Sequence, residues 1–163
     1  FRCLGNDPDT FGSMSADSFL REAVGGLPSP EFEPHATPLS KPLSEAKVAV
    51  VTTAGLKHRG DVELWQPGDD SYTVIPADAR DLQLSHFSPN FDRSGIAADL
   101  NVVYPIDRLH EMAEAGIIGS VAERHLSFMG AQFDFASIIQ DSAPRAAQEL
   151  VDDGVDVVIF VPV

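Results

Sequence analysis

The chain has 163 residues, 44 % of them hydrophobic, a formal net charge of −14, one cysteine and one tryptophan. A single domain of this size buries about two thirds of its unfolded surface, and the apolar fraction is ordinary for a soluble globular chain. The acidic excess argues against nucleic acid and anionic membranes, no run nears the roughly 18 apolar residues of a membrane span, and one cysteine excludes an internal disulfide framework.

The start, Phe1-Arg2-Cys3-Leu4-Gly5-Asn6, has no initiator Met and no signal-peptide core, as expected of a processed or trimmed beginning. Residues 1–45 are expected to form an N-terminal arm and 46–163 an α/β domain. Within the arm a short helix fits 16–24, capped by Ser15 or Ser18 and stopped by Gly25-Gly26. Pro28, Pro30, Pro34, Pro38 and Pro42 forbid helix or sheet interior from Leu27 onward, so an extended segment follows, packed on the domain or used in oligomerisation.

Lys47 to Thr53 reads as a buried strand, with Ala54-Gly55-Leu56 turning at its carboxyl end. A single glycine there is no dinucleotide fingerprint. Thr52 and Thr53 place hydroxyls at that end, although Thr is also a routine strand residue. The polar stretch from His58 to Asp70 reads as a loop, Tyr72–Pro76 as a strand, and the alternating Leu82–His86 as an edge or half-exposed strand. A dense polar run follows from Ser88 through Asn90, Asp92, Arg93 and Asp99 to Asn101. Ile106, Leu109, Met112 and Ala113 carry a helix stopped by Gly116, and Glu123 to Gly130 contains a further strand. A helix over 135–153 must kink or restart at Pro144. The last stretch, Gly154 to Val163, reads as a central strand buried on both faces. The fold expected is an open, mostly parallel, Rossmann-like three-layer sheet flanked by helices, with its crevice at the carboxyl ends of the strands.

The nucleophile inventory is thin. No GxSxG elbow occurs, Cys3 lies far from any strand, and Lys41, Lys47 and Lys57 lack an apolar setting that would depress their pKa. His86 and His125 are the candidate catalytic groups if both reach one sheet edge; the alternative is two satisfied structural histidines. With Asp92 and Asp99 they also make a possible metal-assisted hydrolase, although no HExxH spacing supports a metal. Thr52, Thr53, Asn90, Asp92, Asp99, Asn101 and Ser127 are the candidate substrate-binding residues. Asp92 and Asp99 with Arg93 suit an amino or carboxylate group, and equally suit helix caps and Asx turns.

Four ordered segments carry a family resemblance: Val48 to Leu56 with Arg59-Gly60-Asp61; Ser85 to Asp92; Asp99 to Leu109; and Gly119-Ser120-Val121 with His125 to Gly130. Together with Asp153-Gly154-Val155-Asp156 and Val161-Pro162-Val163 they resemble the selenoprotein B family of glycine, sarcosine and betaine reductases, which includes D-proline reductase-like proteins. The resemblance runs from about residue 46 to the end. It implies reductive cleavage of a carbon–nitrogen bond in a small amine or amino acid by a selenol or thiol, re-reduced by a thiol partner protein. A selenol is ionised at neutral pH and is a ready nucleophile. In that family selenocysteine or cysteine directly follows Val-Pro-Val, so the nucleophile would follow Val163 and no other cofactor is implied. A UGA codon read as stop would explain a chain ending there, and such a chain would be inactive alone. The remaining expectations are a reducing, cytoplasmic setting and, from an apolar strand left without cover, a homo-oligomer. A binding or assembly module without chemistry is the alternative function.

Overall fold

The computed structural model describes residues 18, 22, 25, 26, 37–63, 65–88, 91–132 and 134–163. The chain divides into two units, Phe1–Thr37 and Pro38–Val163, and the second holds everything that follows. Apart from Ser18 and Glu22, the helix expected over 16–24 lies outside the described residues, as does the arm from Leu27 to Ala36.

Seven strands are present among the described residues: β1 (Lys47–Thr52), β2 (Leu56–His58), β3 (Tyr72–Pro76), β4 (Leu82–Leu84), β5 (Ser120–Val121), β6 (Arg124–Phe128) and β7 (Val157–Val161). The α-helices are α1 (Ser94–Ala98), α2 (Ile106–Glu114) and α3 (Ala143–Asp152). β1 is the axis of the sheet. β7 pairs with it in parallel from Val48↔Val157 to Thr52↔Val161. On its other side β1 pairs first with β5, at Lys47↔Ser120, and then with β6, at Val51↔Leu126.

The alternation along β1 explains its unbroken apolar run. Val48 and Val50 pack with Ile106 and Leu109 of α2 on one face. Ala49 and Val51 pack with Ala146 and Leu150 of α3 on the other. A strand covered on both faces has no polar side to show. Gly116, with φ +69°, ends α2 in the left-handed region where a glycine carries no Cβ penalty.

The sheet is mixed, not the mostly parallel Rossmann-like sheet expected. β3 runs antiparallel to β6, from Tyr72↔Phe128 to Pro76↔Arg124. β2 and β4 form a separate antiparallel ribbon, so Leu56–His58, read as turn and loop, is a strand. Three residues are too few to show a period. The larger correction concerns β7, which among the described residues pairs with β1 alone and forms an edge. Its residues are half-buried and Phe160 is 74 % exposed. Apolar composition reports faces, not neighbours, so an edge strand with two apolar faces reads like a central one.

Around Pro144 the helix does both things the sequence allowed. A π-helical turn over Ile138–Ser142 precedes α3, and Pro144 sits in the first turn of α3. The wider turn accommodates the amide that proline cannot donate. Leu150 faces the sheet, whereas its neighbour Val151 is 65 % exposed.

Candidate functional site

The carboxyl ends of β1 and β7 are laced together by two threonines. Thr52 Oγ1 donates to the Val161 carbonyl at 3.2 Å and accepts the Ala54 amide at 3.2 Å. Thr53 Oγ1 accepts the Val163 amide at 2.8 Å, and its own amide donates to Val161 O at 3.1 Å. Residues 161–163 are therefore held against β1 beyond the last ladder bond, with the Val163 backbone fixed at the sheet edge.

His86 comes to this edge from the segment after β4. Gly55 makes room for it: a Cβ there would lie 3.3 Å from the His86 backbone nitrogen, and its φ of +63° suits glycine. Gly130 performs the same service at the tip of β6. A Cβ on Gly130 would stand 2.8 Å from Val163 O, 2.9 Å from His86 Nε2 and 2.9 Å from Thr53 O. Three polar atoms from three segments thus converge on one point. Gly130 and Met129 are not among the sequence-derived candidates, although both lie in the His125 to Gly130 segment that carries the family resemblance and Gly130 closes a strand.

The imidazole is 3 % exposed, and its edge meets the Phe91 ring with centroids 4.8 Å apart. Nδ1 accepts the Ser88 amide at 3.2 Å, which assigns the proton of the neutral ring to Nε2. That Nε2–H has no partner among the described residues. Burial, with Arg93 adding to it, pushes the His86 pKa below its ordinary value, so the ring is neutral at pH 7. Arg93 also braces the backbone, donating from Nη2 to His86 O at 2.7 Å and Ser88 O at 2.6 Å. The result is a rigid, neutral, unpaired donor beside the end of β7. Next to it a cleft of about 320 Å³ is lined by Thr53, Phe128, Gly130, Gln132, Phe135 and Val163, among others.

His125 is placed differently. It is fully buried within β6, where its Nδ1 accepts the Val50 amide at 2.9 Å and its ring meets Tyr104 edge-on. Burial lowers its pKa to about 4. Ser127 is likewise buried, its Oγ accepting the Leu56 amide at 2.8 Å. Asp92 is exposed and accepts both the amide and hydroxyl of Ser94 at the start of α1. Asp99 caps the 3-10 turn at Leu100–Val102 through the Asn101 amide and side chain, and Asn101 in turn binds Asp107. Those bonds hold both carboxyls below their usual range. Asn90 lies outside the described residues. Of the sequence-derived candidates, the structure brings Thr52, Thr53 and His86 to one edge, spends Asp92, Asp99 and Asn101 on local turn and capping bonds, and spends Ser127 on the distant Leu56 amide. Among the described residues no group of three or more His, Cys, Asp or Glu is placed to hold a metal ion, which leaves the hydrolase reading without a centre.

A family model described as glycine/sarcosine/betaine reductase selenoprotein B matches residues 25–162. The chain is 34 % identical to the D-proline reductase subunit gamma of Acetoanaerobium sticklandii over 76 % of its own length and 51 % of that protein's. It is 25 % identical to the sarcosine reductase complex component B subunit beta of Peptoclostridium acidaminophilum, over 91 % of its own length and 37 % of that relative's. The chain thus spans about half or less of the curated relatives it matches. No solved structure matches it. No helix among the described residues is long and apolar enough to cross a membrane.

Proposed function

Because the chain belongs to the glycine/sarcosine/betaine reductase selenoprotein B family, we propose that its Pro38–Val163 unit is the part of a selenol- or thiol-dependent reductase that presents the nucleophile at the carboxyl end of β7. The observation that carries this reading is the unpaired, buried Nε2–H of His86 beside the Val163 carbonyl. A buried N–H without a partner is unfavourable by about 1–3 kcal/mol, and it becomes favourable when an anion arrives. A selenolate or thiolate on the residue following Val163 is such an anion. His86 then has two tasks in cleaving a carbon–nitrogen bond. It holds the chalcogenide in its anionic, nucleophilic form through the Nε2–H hydrogen bond, and it aims that chalcogenide at the neighbouring cleft. There a carbon–chalcogen bond replaces the carbon–nitrogen bond, and the ammonium group leaves as neutral amine without taking a proton from the ring. Thr52 and Thr53 position the strand end that carries the nucleophile, and the neighbouring cleft receives the small amine or amino acid. His125 is the fold's support for this edge. A thiol partner protein in a reducing cytoplasm completes the cycle; both named relatives are subunits of reductases, which supports partner proteins of some kind.

A chain extended past Val163 by Cys-Pro, in a Cys3→Ser background, tests the site without the rest of the reductase. The added thiol should titrate below the ordinary value of about 8.5, read as the pH midpoint of alkylation by iodoacetamide. His86→Ala should return the midpoint to that ordinary value. A midpoint that ignores His86 would overturn the proposal.

The alternative of an assembly module draws on one observation, the open edge and bare Phe160 of β7. Homo-oligomerisation through that edge is compatible with the reductase reading and is taken up in the Discussion.

A further inference from the structure

In the π-helical turn that leads into α3, the Ala143 amide donates to Ile138 O, five residues back. Ordinary α spacing pairs that amide with Ile139 O instead. Single π turns inside α-helices are rare and gather at functional sites. This one borders the cleft at the end of β7, whose lining includes Phe135 and Ile138 together with Thr53 and Val163. The Ile139 amide donates to Phe135 O at 2.8 Å, so Phe135 is tied to the turn and moves with it.

The α register is open to the same residues. Pro144 has no amide, so the π register leaves Ile139 O without a donor and the α register leaves Gln140 O without one. A change of register therefore exchanges one open carbonyl for another. It advances the chain by one residue, about 1.5 Å along the helix axis and 100° around it. Ile139 then takes the place of Ile138, an identical side chain, and an isoleucine that is 57 % exposed gains cover. Ser142 adds a reason for the change. Its Oγ is buried with no hydrogen-bond partner among the described residues. At α spacing Ile138 O, four residues back, comes within reach of that hydroxyl.

The same step moves the aromatic wall. Ala136 takes the place of Phe135, while Phe135 and Ile138 take the places of Asp134 and Ser137. Those two residues line a neighbouring cleft of about 260 Å³ with Pro67, Phe87 and Ala131, so both displaced side chains meet apolar surface there.

We propose that this turn is a two-register gate on the cleft at the end of β7. In the π register Phe135 and Ile138 wall the cleft. In the α register Phe135 withdraws toward the neighbouring cleft and a methyl group replaces it, which widens the way to the strand end at Val163. A ligand that needs the wider cleft draws the helix into the α register by binding that state more tightly. Its role as a gate rests on the reductase reading, whereas the register change rests on the helix alone.

Helix register shifts take microseconds to milliseconds, the range that ¹⁵N relaxation dispersion reads. In the 163-residue chain the amides of Phe135 to Ala143 should show dispersion, with those of Arg145 to Asp152 flat. Deleting Gln140 removes the extra residue of the turn and should abolish the dispersion. Ser142→Ala is the gentler variant: it keeps the turn and removes the hydroxyl that the α register satisfies. It should lower the population of that register about threefold, the worth of one modest hydrogen bond. A flat profile over Phe135 to Ala143 in the native chain, or dispersion that neither variant changes, would overturn the gate. In the chain extended by Cys-Pro, the deletion should slow alkylation of the added thiol severalfold above its pH midpoint, and Phe135→Ala should speed it. The midpoint itself should stay where it is in both. Dispersion that behaves as expected beside a midpoint indifferent to His86 would reject the reductase reading and leave the register change standing. A His86-dependent midpoint beside flat dispersion would reject the gate alone.

Discussion

His125 does for β1 what a neighbouring strand would otherwise do: its Nδ1 accepts the Val50 amide at 2.9 Å where β1 passes from β5 to β6. β5 reaches only to Val48 and β6 begins its register at Val51, so the Val50 amide falls in the gap between them. An imidazole is one of the few side chains that fills such a gap and still packs edge-on against an aromatic ring, here Tyr104 with centroids 5.5 Å apart.

The bond requires neutral His125, and this makes the fold sensitive to acid. Burial lowers the His125 pKa from 6.5 to about 4 in the folded chain. The folded value is depressed, so the contribution is fully present above about pH 6.5 and is lost as pH falls toward 4, where the unfolded chain binds the extra proton. Over that window stability should decline by about 2–3 kcal/mol. Urea unfolding of the native protein and of His125→Asn at pH 7 and pH 4.5 provides the check. Asn can still accept the Val50 amide but does not titrate, so the variant should be less stable at pH 7 and less pH-dependent. Parallel declines in the two proteins would assign the acid sensitivity to other groups.

Gly130 and Thr53 set the end of β7, and they should respond differently to substitution. A Cβ at Gly130 meets two backbone oxygens inside 3.0 Å, Val163 O and Thr53 O, neither of which can swing away as a side chain would. Gly130→Ala should therefore lower stability by about 1–3 kcal/mol, seen as a lower Tm. Thr53→Val removes the acceptor for the Val163 amide and the longer 3.4 Å donation to the Val163 carbonyl, and should lower stability by about 1 kcal/mol. Its specific signature is faster hydrogen exchange at Val163 with Val157–Val161 unaffected, while Thr53→Ser restores protection. Uniformly faster exchange along β7 would mean that the ladder with β1, not the threonine clamp, holds the strand end.

The sequence carried the periodic part of this architecture and lost the relational part. β3, β6 and α2 stand where apolar spacing puts them, because burial of one face is a local property that composition records. The direction of β3 against β6 and the edge position of β7 depend on neighbours far along the chain, and no local pattern encodes them. The same division runs through the site. Thr52, Thr53 and His86 are legible because they sit at strand ends. Asp92, Asp99 and Asn101 are chemically plausible ligands whose oxygens turn out to be occupied by Ser94, Asn101 and Asp107. A lone sequence cannot distinguish an available carboxylate from one engaged in an Asx turn, since both favour the same polar loop. Family resemblance supplied the meaning of Val161-Pro162-Val163, which neither periodicity nor charge could give.

The open edge of β7 should make the protein self-associate, the homo-oligomer proposed above. Phe160 is 74 % exposed on the α3 side of the sheet, beside an apolar cleft of about 380 Å³ that Val51, Leu126, Ala146, Leu150, Val151 and Val158 help to line. Among the described residues the only carboxylate in that lining, Asp156, is engaged by Lys41 Nζ and by the Lys47 amide, so two copies would not meet as like charges there. An unpaired strand edge beside bare apolar surface favours pairing with another chain. Phe160→Lys places a charge on that edge at a position with little buried surface to lose, so unfolding stability should change by no more than about 0.5 kcal/mol. Its effect should appear in sedimentation velocity instead. The native chain should show a concentration-dependent dimer, and Phe160→Lys should run as a monomer across the same range. A native chain that stays monomeric at every concentration would mean that this edge does not pair with a second copy.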